Sequence, residues 1–321
     1  MKVSPLKHLI LAVLFLCVIP KGRAVIISSG DGTGNTAAPV GDQGWSYVGT
    51  INGASGVYLG GSGGMGWVLT ANHVGFGDFV TSDGTRYNAV NSSGVQIGSI
   101  DLYAFQVVVG SGTGLSMLGN LTLSGTAPSD GQMLTMIGYG LDRSPSRTTW
   151  YVDTTPATWI WSTNSFTGWD NNFYGYTELS SNTKRWGTSL SAGVTNISGT
   201  SMVETIYTTA PARGTQGAMG DSGGGVFSAF GGGYQLSGIM VEVGTFNNQP
   251  ANTAVAYNAL QGDLTYSIDI SSYSAQINAL TGIPEPSTWA LAAAGACAVL
   301  LVMRRTKRRR SPSRVFRSPA S

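Results

Sequence analysis

Cysteine and histidine are both scarce in this sequence of 321 residues. The two cysteines, Cys17 and Cys297, lie in apolar segments near the two ends, and the chain has only two histidines. Both terminal segments are predicted to be removed, so the mature chain holds no disulfide and no thiol nucleophile. This excludes cysteine-protease chemistry and thiolate metal sites. Since His8 also leaves, no metal site built on several imidazoles is predicted.

The first 24 residues have the pattern of a secretory signal peptide. Lys2 and Lys7 flank the start of an apolar stretch from Leu9 to Ile19, and small residues lead to Ala24. A buried N-terminal helix is disfavoured because the stretch is short and is followed at once by Gly- and Ser-rich sequence. We therefore expect signal peptidase to cleave after Ala24 and the protein to be exported.

A second targeting pattern occupies residues 284–310. Pro-Glu-Pro at 284–286 precedes an apolar run of 15 residues, and six basic residues follow between Arg304 and Arg310. As a helix the run would be about 22 Å long, against roughly 30 Å of bilayer hydrocarbon. This order resembles the PEP-CTERM sorting signal of Gram-negative bacteria, although a basic tail at 311–321 extends beyond it.

The sorting-signal resemblance implies recognition by an exosortase, which would remove the C-terminal hydrophobic helix. The protein would then be only transiently anchored in the inner membrane, and would finally be secreted or held at the cell surface or in the extracellular matrix. The basic cluster is expected on the cytoplasmic side during anchoring. A permanent C-terminal transmembrane anchor is the alternative.

The charge of the mature chain differs from that of the whole sequence, which is +2. Residues 25–283 contain six basic and fifteen acidic residues, a net charge near −9. Because phosphate backbones are bound by basic surfaces, a nucleic-acid partner is not expected.

Short apolar runs separated by turn residues dominate the mature chain, which is rich in Gly, Ser, Thr and Asn. This punctuation predicts many short strands and an all-β barrel or sandwich, with one short helix near Tyr273 to Leu280. A Gly-rich β-helix or adhesin is disfavoured because no fixed repeat period occurs.

His73 is the only histidine of the predicted mature domain and ends the apolar segment Trp67-Val68-Leu69-Thr70-Ala71-Asn72. Ser222 lies in Gly220-Asp221-Ser222-Gly223-Gly224-Gly225, where glycines allow a tight turn behind the hydroxyl. In such a turn the amides of Gly220 and Ser222 can form an oxyanion hole. The hexamer also fits the nucleophile motif of α/β hydrolases, but those enzymes place their histidine after the serine, and none follows Ser222.

Asp101 is the candidate acid between these two residues, in the segment Ser99-Ile100-Asp101-Leu102-Tyr103. A carboxylate at the end of a strand can be buried against an imidazole, as a catalytic triad requires. A turn-capping role is the alternative for this aspartate. The order His73, Asp101, Ser222 also differs from the Asp, His, Ser order of subtilisins.

Four motifs in this order resemble the signatures of trypsin-like (chymotrypsin-fold) serine proteases. They are Thr70-Ala71-Asn72-His73, Asp101-Leu102, Ile137-Gly138-Tyr139-Gly140 and Gly220-Asp221-Ser222-Gly223-Gly224. The resemblance covers about residues 45–270 and implies two six-stranded antiparallel β-barrels. We expect the first barrel at 25–137 to carry His73 and Asp101, and the second at 138–283 to carry Ser222.

The resemblance also implies positions for substrate recognition and activation. Gln216, six residues before the serine, would lie at the base of the specificity pocket, and Glu242 would lie on its wall. In animal members the aspartate before the serine, here Asp221, pairs with a newly cut amine. Cleavage after Ala24 would expose Val25, so export itself is a hypothetical activating step.

The function that follows is a serine endopeptidase that needs no cofactor and acts on protein or peptide substrates. Two alternatives stay open. One is a non-catalytic surface or matrix-binding protein on a protease fold, and the other is an esterase that uses the same triad.

Overall fold

The computed structural model describes residues 25–27, 34–112, 114–146, 158–160, 165–167, 174–208, 214–244, 258–259 and 263–283. The predicted signal peptide, sorting segment and basic tail fall outside these ranges. Within the described ranges, no helix is long and apolar enough to cross a membrane.

Twenty strands and one α-helix follow one another along the described chain. The strands are β1 (Ile26–Ile27), β2 (Val48–Ile51), β3 (Ala54–Ser62), β4 (Met65–Thr70), β5 (Phe79–Val80), β6 (Arg86–Tyr87), β7 (Val95–Gln96), β8 (Tyr103–Val108), β9 (Met133–Gly138), β10 (Leu141–Ser146), β11 (Thr158–Ile160), β12 (Ser165–Thr167), β13 (Tyr174–Asn182), β14 (Arg185–Ile197), β15 (Thr200–Ile206), β16 (Thr215–Gln216), β17 (Gly225–Phe230), β18 (Gly233–Gly244), β19 (Asn258–Ala259) and β20 (Leu264–Asp269). The helix α1 is Ile270–Thr281, and short 3₁₀ turns occur at Trp45–Tyr47 and Gly114–Met117.

Two antiparallel units make up most of the fold. The first is a seven-stranded sheet in the order β6-β5-β2-β3-β4-β8-β7, and the second is a closed six-stranded barrel in the order β14-β15-β20-β18-β17-β9. The predicted all-β class is therefore confirmed. The first unit has seven strands instead of six because the short strands β5, β6 and β7, of two residues each, flank its longer ones.

Two smaller sheets are added to the second unit. β10, β13 and β19 form a three-stranded sheet, and β11 pairs with β12. Strands β10 to β13 lie between β9 and β14 in the sequence, and β19 lies between β18 and β20. β1 is also paired in this half, antiparallel to β16, with Ile26 opposite Gln216.

The helix α1 closes the described chain and is delimited by its capping residues. Asp269 is the N-cap, and its side chain accepts a hydrogen bond from the backbone N–H of Ser271 at 3.0 Å. Gly282 ends the helix in the left-handed conformation with φ 65°, which glycine adopts without steric cost. The observed helix extends the predicted Tyr273 to Leu280 segment at both ends.

One apolar core runs through both units. Val57 and Phe105 of the sheet and Phe227 and Ile239 of the barrel belong to the same cluster, and each is at most 1% exposed. Truncation of such a phenylalanine to alanine costs about 3 to 5 kcal/mol of stability. This shared core fixes the sheet against the barrel, and thereby fixes the position of the cleft between them.

A buried lysine lies at the same junction. Lys184, just before β14, is only 4% exposed, and its Nζ donates hydrogen bonds to the carbonyl oxygens of Trp45 and, at 2.6 Å, of Val48. The ammonium also lies 4.4 Å from the centre of the Trp45 ring. Burial lowers the pKa of Lys184 to about 7, against the opposing attraction of Asp42 and Asp83.

Candidate active site

The cleft that contains the candidate triad has a volume of about 340 Å³. Its lining comes from the loop after β4, the loop before β17, and strands β18 and β20. The lining residues are His73, Gly217, Ala218, Met219, Gly220, Asp221, Ser222, Met240, Val241, Glu242, Val243 and Thr265. The structure thus brings His73 and Ser222, which are far apart in sequence, to one cavity.

Strand pairing places Asp101 beside His73. β4 and β8 are antiparallel neighbours with Thr70 opposite Tyr103, so the residues just after β4 lie next to those just before β8. Asp101 Oδ2 is 2.6 Å from His73 Nδ1, and Asp101 Oδ1 accepts a hydrogen bond from the His73 backbone N–H at 2.8 Å. The carboxylate therefore holds both the ring and the backbone of the histidine.

The same contacts set the protonation of the pair. The hydrogen bond that the His73 ring donates to Asp101 raises the pKa of His73 above its ordinary value, against the opposing effect of burial. Burial acts to raise the pKa of Asp101, but the hydrogen bonds from the His73 ring and backbone outweigh it and leave that pKa below its ordinary value. An ionised Asp101 favours the tautomer with the proton on Nδ1, which leaves Nε2 of His73 as a proton acceptor.

The Ser222 turn is built from backbone conformations that require glycine. Gly220 and Gly223 have φ 87° and 85°, where a side chain would be strained. The turn is closed by two backbone hydrogen bonds, from Asp221 to the Ala218 carbonyl at 2.9 Å and from Gly224 to the Asp221 carbonyl at 2.7 Å. Ser222 is partly exposed at the tip of this turn, in the wall of the cleft.

The turn also determines the surroundings of the candidate oxyanion hole. Within the described chain, the backbone amides of Gly220 and Ser222 have no protein acceptor, while both residues line the cleft. Two such donors beside a nucleophile could bind a developing oxyanion, and removal of one donor of this kind costs roughly 3 to 4 kcal/mol in barrier height.

Asp221 shapes the turn from inside the protein. Its side chain is fully buried, and its two carboxylate oxygens accept hydrogen bonds from the backbone N–H groups of Gly140 and Ala218, each at 2.8 Å. A Cβ on Gly138 would collide with Asp221 Oδ1, and one on Gly140 would lie 3.0 Å from it. The glycines of the Ile137–Gly140 motif therefore make room for this carboxylate.

Ser55, at the start of β3, is a residue that the sequence analysis missed. It is fully buried and its Oγ donates a hydrogen bond to the Gly220 carbonyl at 3.0 Å and accepts one from the Tyr139 N–H at 2.7 Å. Its own N–H donates to the Ser222 carbonyl at 2.9 Å. Ser55 thus connects the sheet directly to the turn that carries the candidate nucleophile.

The two predicted specificity residues occupy different places. Glu242 lines the cleft and is exposed at its rim. Gln216 is fully buried and is not a lining residue, whereas its neighbour Gly217 lines the cleft and donates a hydrogen bond to Thr265 Oγ1. Its side-chain amide has no hydrogen-bond partner among the described residues. Within those residues, no group of three or more His, Cys, Asp or Glu side chains could hold a metal ion.

Comparisons with known proteins give fold-level likenesses only. No family model matches the chain, and no curated protein matches it. Among solved structures it is similar to neuropsin, a serine protease expressed in the limbic system of mouse brain, with 15% identity over 76% of this chain and 97% of that one, and a TM-score of 0.44. Kallikrein-related peptidase 10 gives 16% identity, 76% and 98% coverage, and a TM-score of 0.44. The architecture and the candidate site are therefore described from the sheet, the barrel and the cleft of this chain alone.

Proposed function

We propose that this protein is an exported serine endopeptidase in which Ser222 is the nucleophile, His73 the general base and Asp101 the residue that orients the base. The observation that carries the proposal is the two-point contact of Asp101 with His73, at 2.6 Å to Nδ1 and 2.8 Å to the backbone N–H, in the cleft that Ser222 lines. A surface histidine with no catalytic role does not require a carboxylate that fixes its tautomer.

The reaction follows from these roles. Ser222 Oγ attacks the scissile carbonyl carbon while its proton passes to His73 Nε2, and Asp101 stabilises the imidazolium that forms. The amides of Gly220 and Ser222 bind the oxyanion. The imidazolium then protonates the leaving amine, and water activated by the same histidine hydrolyses the acyl-enzyme. No cofactor enters this sequence of steps.

An open strand edge beside the cleft favours a peptide over a simple ester as substrate. The pairing of β18 with β17 ends at Ile239, whereas its pairing with β20 continues to Gly244. Among the described residues, no strand pairs with the other backbone edge of Val241, Glu242 and Val243, which line the cleft. An extended peptide could add to this edge through main-chain hydrogen bonds, which a small ester cannot do.

The test compares the purified exported protein with Ser222→Ala, using a fluorophosphonate serine probe and a denatured protein substrate. We expect the parent alone to be labelled and to cleave, with a loss of several orders of magnitude in the variant. Ser228→Ala, which removes a buried hydroxyl outside the cleft, serves as the folded control.

The other outcomes of this test separate the alternatives. Labelling with hydrolysis of esters but of no protein or peptide would identify an esterase. A folded parent that neither reacts with the probe nor cleaves would contradict the enzyme proposal and favour a surface or matrix-binding protein.

We also propose that the chain is processed at both ends, with signal peptidase acting after Ala24 and an exosortase acting at the segment 284–310. The Pro-Glu-Pro, apolar and basic parts of that segment carry this proposal. Intact-mass spectrometry of the protein from the outer surface of the cells should show Val25 as the first residue and the loss of the basic tail. Surface protein that retains Arg304 to Arg310 would contradict removal and favour a permanent anchor.

A further inference from the structure

The floor of the cleft is closed by side chains that reach from one wall to the other. Gly217 lies on the wall that leads to Ser222, and its N–H donates a hydrogen bond to Thr265 Oγ1 of β20 at 2.8 Å. A Cβ on Gly217 would lie 2.9 Å from Thr265 Cγ2 and 3.5 Å from Val243 Cγ1. The described parts of the two walls are thus in van der Waals contact at this depth.

Among the lining residues that the structure describes, no charged side chain lies at this floor. The Thr265 hydroxyl oxygen accepts the hydrogen bond from the Gly217 N–H, and Gln216 is fully buried and does not line the cleft. The Asp221 carboxylate is fully buried and bound by two backbone amides, while Glu242 stands exposed at the rim. A long cationic side chain entering the cleft would therefore bring its charge against methyl groups, with no partner to offset its desolvation.

An aromatic side chain meets a steric obstacle at the same place. To extend beyond Val243 and Thr265, the ring would have to separate these two residues from Gly217. This would break the hydrogen bond between Gly217 and Thr265, a residue that is only 1% exposed. A short aliphatic side chain fills the space above the floor without disturbing it. The surrounding Val241 and Val243 offer the apolar contact that such a side chain gains on burial.

From this geometry we infer that Val243 and Thr265 are specificity-determining residues, and that the cleft accepts a small aliphatic side chain, such as that of alanine or valine, on the residue whose carbonyl is attacked (P1). This inference is based on the proposed serine-peptidase function and gives it a substrate class. It differs from the expectation that Gln216 forms the accessible base of the pocket.

The experiment measures inactivation rates of the exported protein by peptidyl diphenyl phosphonates that differ only in P1, with alanine, valine, phenylalanine or arginine side chains. A simple fluorophosphonate without a P1 side chain reports the reactive serine separately. We expect alanine and valine inhibitors to react at least about 100-fold faster than phenylalanine and arginine inhibitors, since one methylene too many already costs about tenfold or more in a tight pocket.

Two variants test the residues directly. Val243→Gly should raise the rate with the phenylalanine inhibitor by about tenfold or more. Thr265→Ser removes the methyl group but keeps the hydroxyl oxygen that accepts the Gly217 N–H, and should shift the order in the same direction. Val194→Gly, at a half-exposed valine of β14 outside the cleft, should leave the P1 order unchanged.

Different outcomes would contradict the serine-peptidase function and the small P1 pocket. Reaction with the fluorophosphonate but equal or faster inactivation by arginine or phenylalanine inhibitors would overturn the small-residue pocket alone. An unchanged P1 order in both Val243→Gly and Thr265→Ser would overturn the assignment of these two residues. A folded parent that reacts with no phosphonate would overturn the peptidase and the pocket together.

Discussion

Replacing Ser55 with alanine tests whether the sheet positions the nucleophile turn of the barrel. The change removes one hydroxyl that has two hydrogen bonds, to the Gly220 carbonyl at 3.0 Å and from the Tyr139 N–H at 2.7 Å. Its backbone bond to the Ser222 carbonyl, at 2.9 Å, is left in place. The side chain of Ser55 is fully buried, so water does not take over these contacts without a rearrangement.

The magnitude follows from the two groups that lose their partner. A buried polar group left unsatisfied costs about 1 to 3 kcal/mol, so the loss of both contacts should lower the free energy of unfolding by about 2 to 6 kcal/mol. The Gly220 carbonyl would also become free to rotate, and with it the peptide beside Ser222. Misplacement of reacting groups by about 1 Å costs on the order of 100-fold in rate, so we expect kcat to fall by about 10- to 100-fold with KM little changed.

The assay combines urea unfolding with steady-state kinetics and the rate of fluorophosphonate labelling. Ser228→Ala is the matched control, because Ser228 is a buried serine whose Oγ lies 2.7 Å from Ser237 Oγ, outside the cleft. It should lose stability but keep kcat. The positioning role would be refuted by a folded Ser55→Ala protein with the parental kcat, or by equal losses of kcat in the two variants.

Three further predictions concern protonation and processing. The acidic limb of kcat/KM should have its midpoint above the ordinary histidine value of about 6.5, since the hydrogen bond to Asp101 raises the pKa of His73. Asp101→Asn should lower kcat by about 10⁴-fold, and a parental rate in that variant would contradict the triad. Burial lowers the pKa of Lys184 to about 7, so the unfolded chain binds more protons than the folded chain between about pH 7 and 10. The free energy of unfolding should therefore rise with pH in this range by up to about 1.4 kcal/mol per pH unit. Urea titrations of Lys184→Met should not show this slope. An exported protein that keeps one extra residue before Val25, which is fully buried, should lose at least about tenfold in activity, and full activity of that protein would contradict activation by signal cleavage.

The parts of the site that could be predicted are those that short motifs encode. His73 follows a strand, Asp101 precedes the neighbouring strand, and the glycines around Ser222 specify a turn, so each motif contains the local reason for its own geometry. Their order along the chain then restricts the classes of hydrolase that can apply. The all-β class was equally accessible, because alternating runs and turn residues recur along the whole mature sequence.

The parts that could not be predicted depend on contacts between distant segments. Ser55 lies 165 residues from Gly220, and its neighbours in the sequence give no sign of a hydrogen bond to that carbonyl. Strands β5, β6 and β7 are two residues long, too short for an alternation pattern to predict them.

For Gln216, the spacing from Ser222 predicts a position in the chain but does not determine whether the side chain contacts substrate. Its distance from Ser222 along the chain predicts a place at the base of a specificity pocket, and the structure shows it in β16, next to Gly217, which lines the cleft. Its side chain is fully buried outside the lining, whereas Thr265, 48 residues beyond Gly217, accepts a hydrogen bond from that glycine and lines the cleft. The turn of the candidate nucleophile is therefore encoded locally, whereas the shape of the proposed pocket depends on the packing of β18 and β20. Substitutions in those strands should change specificity without removing catalysis.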